Sequence, residues 1–160
     1  MNPKPAASEP GWDSGSHCDL RQDRAAGRAL NVADACCGAG AEARLWAAQG
    51  HQVYGADSDA AQVALARRRA AAAGLEIMFD HAAATALPWP DRSMDVCIAP
   101  AQLAKMTDWR RCAAELVRVL RPGGVLCIRT TSTRFPVLAW FACYGLRRHF
   151  ARHGLRVKPA

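Results

Sequence analysis

The chain of 160 residues has no long apolar run; the longest, Val137 to Leu146, is ten residues. A membrane-spanning helix needs about 20, so no spanning segment is expected. The opening MNPKPAASEP has no apolar core, so no secretory signal is expected. Lysine is scarce, 3 residues against 18 arginines, and no acid follows Glu115. Residues 1–80 hold 8 basic and 10 acidic side chains, and residues 81–160 hold 13 and 4. A basic second half suits an acidic partner, a nucleic acid or an anionic membrane surface, or is simply a solvated arginine-rich face. No Gly-Lys-Ser/Thr follows the glycines, which excludes a Walker loop, and no Gly-x-Ser-x-Gly elbow or Ser-His-Asp set is present. The seven cysteines are odd in number and sit mostly in apolar runs. That usage argues against a disulfide scaffold and for a reduced, cytoplasmic compartment.

What is abundant is alanine, at 34 positions, which favours helices and close backbone packing. With 51% hydrophobic and 22% charged residues the chain reads as one globular domain. Residues 1–17 read as a flexible lead and residues 18–160 as the domain. A short helix is expected over 18–29, then strands and helices alternate. Leu30–Ala35, Gln52–Ala56, Leu75–Phe79, Met94–Ala99 and Val125–Arg129 are expected strands, with Leu155–Val157 a short sixth. Ala41–Gln49, Asp59–Ala73 (capped by Ser58), Asp108–Leu120 (capped by Thr107 or Asp108) and Pro136–Arg152 are expected helices. Trp109, Cys112, Ala113, Leu116 and Leu120 trace one helical face. Pro122-Gly123-Gly124 is expected to end that helix and turn the chain. Apolar strands alternating with helices predict an α/β fold: a Rossmann-like, doubly wound, mainly parallel sheet with helices on both faces. Such sheets bind ligands at the carboxyl ends of their strands.

After the first strand comes Asp34-Ala35-Cys36-Cys37-Gly38-Ala39-Gly40, whose glycines let the backbone turn tightly and approach a ligand. Seventeen residues past Gly40 stands Asp57, at the end of the second strand. A carboxylate there can accept both hydroxyls of a ribose. The pair points to a nucleoside cofactor without choosing one. Gly38-Ala39-Gly40-Ala41-Glu42-Ala43 also fits the relaxed dinucleotide pattern G-x-G-x-x-A.

Four blocks in order, from about Asn31 to Arg129, resemble the class I S-adenosylmethionine-dependent methyltransferases, more narrowly the quinone-biosynthesis and methyltransferase-11 type. Asn31 to Gly40 is similar to the family's first motif, and Val53 to Ser58 to its acidic ribose motif. Ala86 to Val96 is similar to its Leu-Pro-aromatic stretch, and Leu116 to Gly124 to its turn before the fifth strand. The resemblance implies an enzyme that binds S-adenosyl-L-methionine. Asp34 would orient the methionine amino group, and Cys36, Cys37, Gly38 and Gly40 would line the methionine and ribose. Asp57, with Ser58, would hold the ribose, and Ala83 and Ala84 would take the adenine-contacting place. Ala99 and Pro100 would end the fourth strand beside the reacting methyl.

Three departures accompany the resemblance. Cys36 stands where the family usually has Gly. Ala83 stands where it usually has an acid for the adenine amino group. The C-terminal strand pair is expected to be incomplete, without the seventh strand that the family places between the fifth and sixth. A partner that closes the sheet, a degenerate domain and a truncated product all account for that; a homodimer completing the sheet is one form of the first.

Methyl transfer is an in-line displacement from an excellent leaving group, so positioning in a dry pocket supplies most of the acceleration. No catalytic residue is assigned; His81 is either a base or a loop histidine. Adjacent cysteines without a second ligand pair make a poor metal site, and none is expected. Ile98-Ala99-Pro100-Ala101-Gln102 lacks the Asn/Asp-Pro-Pro-aromatic signature of methyltransferases acting on nucleic-acid amino groups. The expected acceptor is therefore small or lipophilic. Trp140, Phe141, Tyr144 and Phe150, with Arg147, Arg148 and Arg152, make 137–152 either a membrane-surface contact or an ordinary helix packed on the sheet. A non-catalytic methyltransferase-like binding domain with weak cofactor affinity is the alternative reading.

Overall fold

The computed structural model describes residues 28–100, 103, 106–129 and 156–159. The elements run β1 (Asn31–Ala35), α1 (Ala41–Ala47), β2 (Gln52–Asp57), α2 (Ala60–Ala72), β3 (Ile77–His81), β4 (Met94–Pro100), α3 (Trp109–Val119), β5 (Leu120–Arg129) and β6 (Arg156–Pro159). The sheet order is β3-β2-β1-β4-β5-β6, and every neighbouring pair is parallel. The chain winds outward from β1 to β3 and then returns to the other side of β1. That reversal splays the loops after β1 and β4 apart and opens a crevice at their carboxyl ends.

Alternation along the strands builds two cores. Val32, Val53, Val96, Ile98 and Val125 face α1 and α2, where Ala43, Trp46, Val63, Ala66 and Ala70 meet them. Ala33, Ala35, Cys97, Ala99, Leu126 and Ile128 face the other way, against Cys112, Ala113, Leu116 and Val119 of α3 and against Leu87 and Trp89. Burying a side chain such as Leu116 stabilises the fold by roughly 1.5–3 kcal/mol. Helices thus cover both faces, as the alternation of the sequence implies. Among the described residues no helix is long and apolar enough to cross a membrane.

Several boundaries differ from the sequence expectation. The cap of α2 is Asp59, not Ser58: its carboxylate accepts from the Ala61 amide at 2.8 Å and the Gln62 amide at 3.4 Å. Asp108 precedes α3 but makes no side-chain cap bond. β3 starts two residues later than expected and runs to His81, because Leu75 closes the end of α2 through its amide to the Ala70 carbonyl. Pro122-Gly123-Gly124 does not separate helix from strand. It lies inside β5, whose pairing with β4 shifts register between Met94 and Val96, and Gly123 takes φ 79° there. A glycine at positive φ inside a strand is the usual device for such a bulge. β6 pairs directly and in parallel with β5. Cys127 is disulfide-bonded, which departs from the reduced thiols that the cysteine usage leads one to expect; Cys36, Cys37, Cys97 and Cys112 carry thiols. The lead over 1–17 and the helix over 136–152 lie outside the described residues, as does nearly all of the 18–29 segment.

Candidate functional site

The loop after β1 is shaped by three residues in the left-handed region: Cys36 (φ 58°), Gly38 (φ 52°) and Gly40 (φ 73°). Gly40 caps α1 with its backbone alone. A Cβ on Gly40 would lie 2.9 Å from Cζ of Phe79 and 3.0 Å from Ala66, so only glycine fits under that ring. Gly38 differs: a Cβ there meets nothing within 4 Å. Its outer side is open space, where a ligand can approach the backbone.

Asp57 closes the loop. One carboxylate oxygen accepts from the Gly38 amide at 2.7 Å and the other from the Asp59 amide at 2.9 Å. Each oxygen offers two acceptor directions, so one on each remains for a diol. The Cys37 amide donates to the Ala56 carbonyl at 3.0 Å, a second tie between the loop and β2. Asp34, the penultimate residue of β1, is wholly buried, and Cys37 is 4% exposed. Burial, reinforced by the Asp34 and Asp57 carboxylates, pushes the Cys37 thiol up to about 12. It is therefore a packing group at neutral pH, not a nucleophile. Burial alone pushes the Cys97 thiol up as well.

The next two strands supply the rest. At the end of β3, Nε2 of His81 lies 3.0 Å from the Ser58 carbonyl, and the Ala82 amide donates to the Asp57 carbonyl at 3.0 Å. His81 is thus tied across to β2 in addition to its register partner Asp57. Ala83 is exposed and Ala84 is buried. At the end of β4, Ala99 is buried and Pro100 half-buried. The residues that the resemblance assigns to the cofactor therefore lie at the carboxyl ends of four adjacent strands. A cleft of about 330 Å³ elsewhere is lined by Arg28, Asp95 and Arg121 with Pro122 and Gly123. It opens at the amino ends of β4 and β5, away from this site.

Sequence reading missed two supports of the site. Phe79 roofs Gly40 and Gly55 from β3, which an apolar strand residue does not announce. Arg118 and Glu115 of α3 hold the loop from Leu87 to Asp91. The residues present suit S-adenosylmethionine: an open glycine backbone, a carboxylate with acceptor capacity for a ribose, and a buried acid at the end of β1.

A methyltransferase-domain family profile matches residues 33–128. Demethylmenaquinone methyltransferase of Thermus thermophilus is 42% identical over 81 residues, covering 51% of this chain and 37% of that protein. Methyltransferase GfsG of Streptomyces halstedii is 37% identical over 134 residues, covering 79% and 47%. The chain spans less than half the length of these two relatives. Among solved structures, the [4+2]-cyclase SpnF superposes with a TM-score of 0.59 at 30% identity, over 72% of this chain and 48% of that one. A SAM-dependent methyltransferase from Methanosarcina mazei gives 0.57 at 29%, over 61% and 50%. With the profile covering more than half its length and the glycine loop, Asp57 and the strand order all in place, the chain belongs to the class I S-adenosylmethionine-dependent methyltransferase family.

Proposed function

We propose that this chain binds S-adenosyl-L-methionine and transfers its methyl group to a small or lipophilic acceptor. The observation that carries the reading is Asp57: it fixes the Gly38 amide while each of its oxygens keeps acceptor capacity, and the Gly38 backbone beside it is open. When bound, the cofactor supplies the electrophilic methyl; the residues of this chain hold and orient it and exclude water. A demethylmenaquinone methyltransferase and a malonyl-[acyl-carrier protein] O-methyltransferase of Serratia marcescens, 35% identical over 97 residues, are named for acceptors with lipophilic or acyl parts. They support an acceptor of that kind here. Calorimetric titration with S-adenosylhomocysteine, with NAD as control, tests the cofactor. Micromolar binding of the first alone is expected, and no binding would remove the reading.

A second reading is a methyltransferase-like domain without catalysis. It is favoured by Ala83, which is exposed and brings no carboxylate to the adenine place. Three partner and location proposals remain: a cytoplasmic location, a membrane-surface contact through 137–152, and a homodimer completing the sheet beside β6. Sedimentation with anionic liposomes tests the contact, which fails if the chain stays in the supernatant. Sedimentation equilibrium tests the dimer, which fails if the mass is that of one chain.

A further inference from the structure

The segment from Leu87 to Asp91 contains Pro88 and Pro90, so two of its five residues have no amide to donate. It cannot knit itself together, and its carbonyls need donors from elsewhere. Ser93 Oγ donates to the Pro90 carbonyl at 2.6 Å, and Arg118 serves two more. Arg118 donates from Nη2 to the Leu87 carbonyl at 2.9 Å, and from Nη1 to the Trp89 carbonyl and the Asp91 carboxylate, both at 2.8 Å. Its remaining face meets Glu115 in a fork, Nε to Oε1 and Nη2 to Oε2, both 2.8 Å. Glu115 Oε2 also accepts the Leu87 amide at 2.8 Å. Two side chains one turn apart on α3 thus hold the Leu87 amide and carbonyl, the Trp89 carbonyl and the Asp91 carboxylate of a loop about 30 residues away in sequence. Arg118 is held above its ordinary range by Glu115 and Asp91, and Glu115 is held below its own by Arg118 against the opposing effect of burial.

The same stretch of chain carries the adenine place. Ala82 is anchored to the Asp57 carbonyl, Ala86 donates to Ala83 in a turn, and Leu87 follows at once. Ala84, Leu87 and Trp89 pack in one cluster with Ala35, Ala56 and, at its margin, Cys36. The loop from 82 to 91 is therefore pinned by Asp57 at one end and by α3 at the other. Alanine at position 83 brings no carboxylate to the adenine edge. Reading that edge falls to backbone groups, which are only as selective as the loop is fixed.

Resting on the proposed cofactor, we infer that Arg118, braced by Glu115, is a positioning residue that confers selectivity for the adenine edge through the 82–91 loop. The test compares S-adenosylhomocysteine with S-inosylhomocysteine, in which the adenine amino group is replaced by a carbonyl. Kd is measured by calorimetry on the full chain and on Arg118→Lys, which keeps the charge but loses the fork. The wild-type chain is expected to prefer the adenosyl compound by about tenfold or more. In Arg118→Lys its Kd rises about tenfold while that of the inosyl compound moves little, so the preference collapses. Circular dichroism establishes that the variant is folded; if it is not, Glu115→Gln carries the same comparison. A folded variant with an unchanged preference overturns the inference, as does one that loses affinity for both compounds equally, which is mere destabilisation. A wild-type chain that binds neither compound overturns the proposed function, and this inference with it.

Discussion

The Asp57 carboxylate accepts the Gly38 amide at 2.7 Å across 19 residues, so the end of β2 holds the glycine loop in place before any ligand arrives. The same carboxylate is the group proposed to meet the ribose. Its two tasks are coupled: removing it relaxes the loop and deletes an acceptor at once. Asp57→Ala is expected to weaken S-adenosylhomocysteine binding by about one to two orders of magnitude, since hydrogen bonds to charged groups are worth roughly 1.5–3 kcal/mol. Asp57→Asn, which keeps one oxygen, should lie between. Calorimetry on both variants reads the order, and undiminished affinity in the alanine variant removes Asp57 from the site.

Cys36 occupies the left-handed region at φ 58°, which costs an L-residue about 1–2 kcal/mol. Glycine avoids that cost and gives back part of the gain through its freer unfolded chain. Cys36→Gly is therefore expected to stabilise the domain by about 0.5–1 kcal/mol net. Urea midpoints of the two proteins, at unchanged slope, report the difference.

Gly55 lies under the Phe79 ring: a Cβ there would sit 2.5 Å from Cδ1 of Phe79 and 3.1 Å from Sγ of Cys37. Gly55→Ala is expected to cost about 1–3 kcal/mol from overpacking. Phe79→Leu in the same chain removes the ring that clashes, so the double variant should lose less than the sum of the two single ones. A thermal-melt double-mutant cycle measures that coupling. Additive losses would mean that Phe79 does not set the requirement for glycine.

The fold was legible because its signal is local. Apolar strands alternating with helices fixed the order of elements, and the acid near the end of β1, the glycines after it and the acid ending β2 pointed to the carboxyl ends of the strands as the candidate site. What could not be read depends on contacts distant in sequence. Nothing near Arg118 announces that it serves the carbonyls of Leu87 and Trp89. Pro122-Gly123-Gly124 reads locally as a stop, and only pairing with Met94 and Val96 makes it a bulge within β5. At the start of α2 the sequence points to Ser58 as the cap, but Asp59 takes the amides of Ala61 and Gln62, while Ser58 turns its carbonyl to His81.

Ala83, which the resemblance sets at the adenine place, is exposed, so a longer polar side chain there meets no steric bar from the core. Ala83→Asp adds the acceptor that the resemblance leads one to expect at that position, and is expected to tighten S-adenosylhomocysteine binding by about tenfold. The inosyl analogue, which lacks the amino donor, should gain nothing. Equal affinities before and after the substitution would show that position 83 does not face the adenine.

Cys37 makes the domain's stability depend on alkali. Its thiol titrates at about 12 in the folded chain against an ordinary value of 9.0. Between those values the unfolded thiol has given up its proton while the folded one keeps it. The unfolded state then binds fewer protons, and stability falls as pH rises. Below pH 9 the contribution is complete; from 9 toward 12 it is lost, with a limiting slope of about 1.4 kcal/mol per pH unit for one thiol. Urea unfolding at steps from pH 8 to 11 should show this limb in the wild-type chain and a shallower one in Cys37→Ala. Cys97 and Cys112, also pushed up by burial, contribute to the slope that remains. At pH 8 the folded chain should leave the Cys37 and Cys97 thiols unalkylated by iodoacetamide, while the urea-unfolded chain reacts at both. Rapid alkylation of Cys37 in the folded chain would mean that the loop after β1 opens, and that the Asp57–Gly38 tie does not hold it shut.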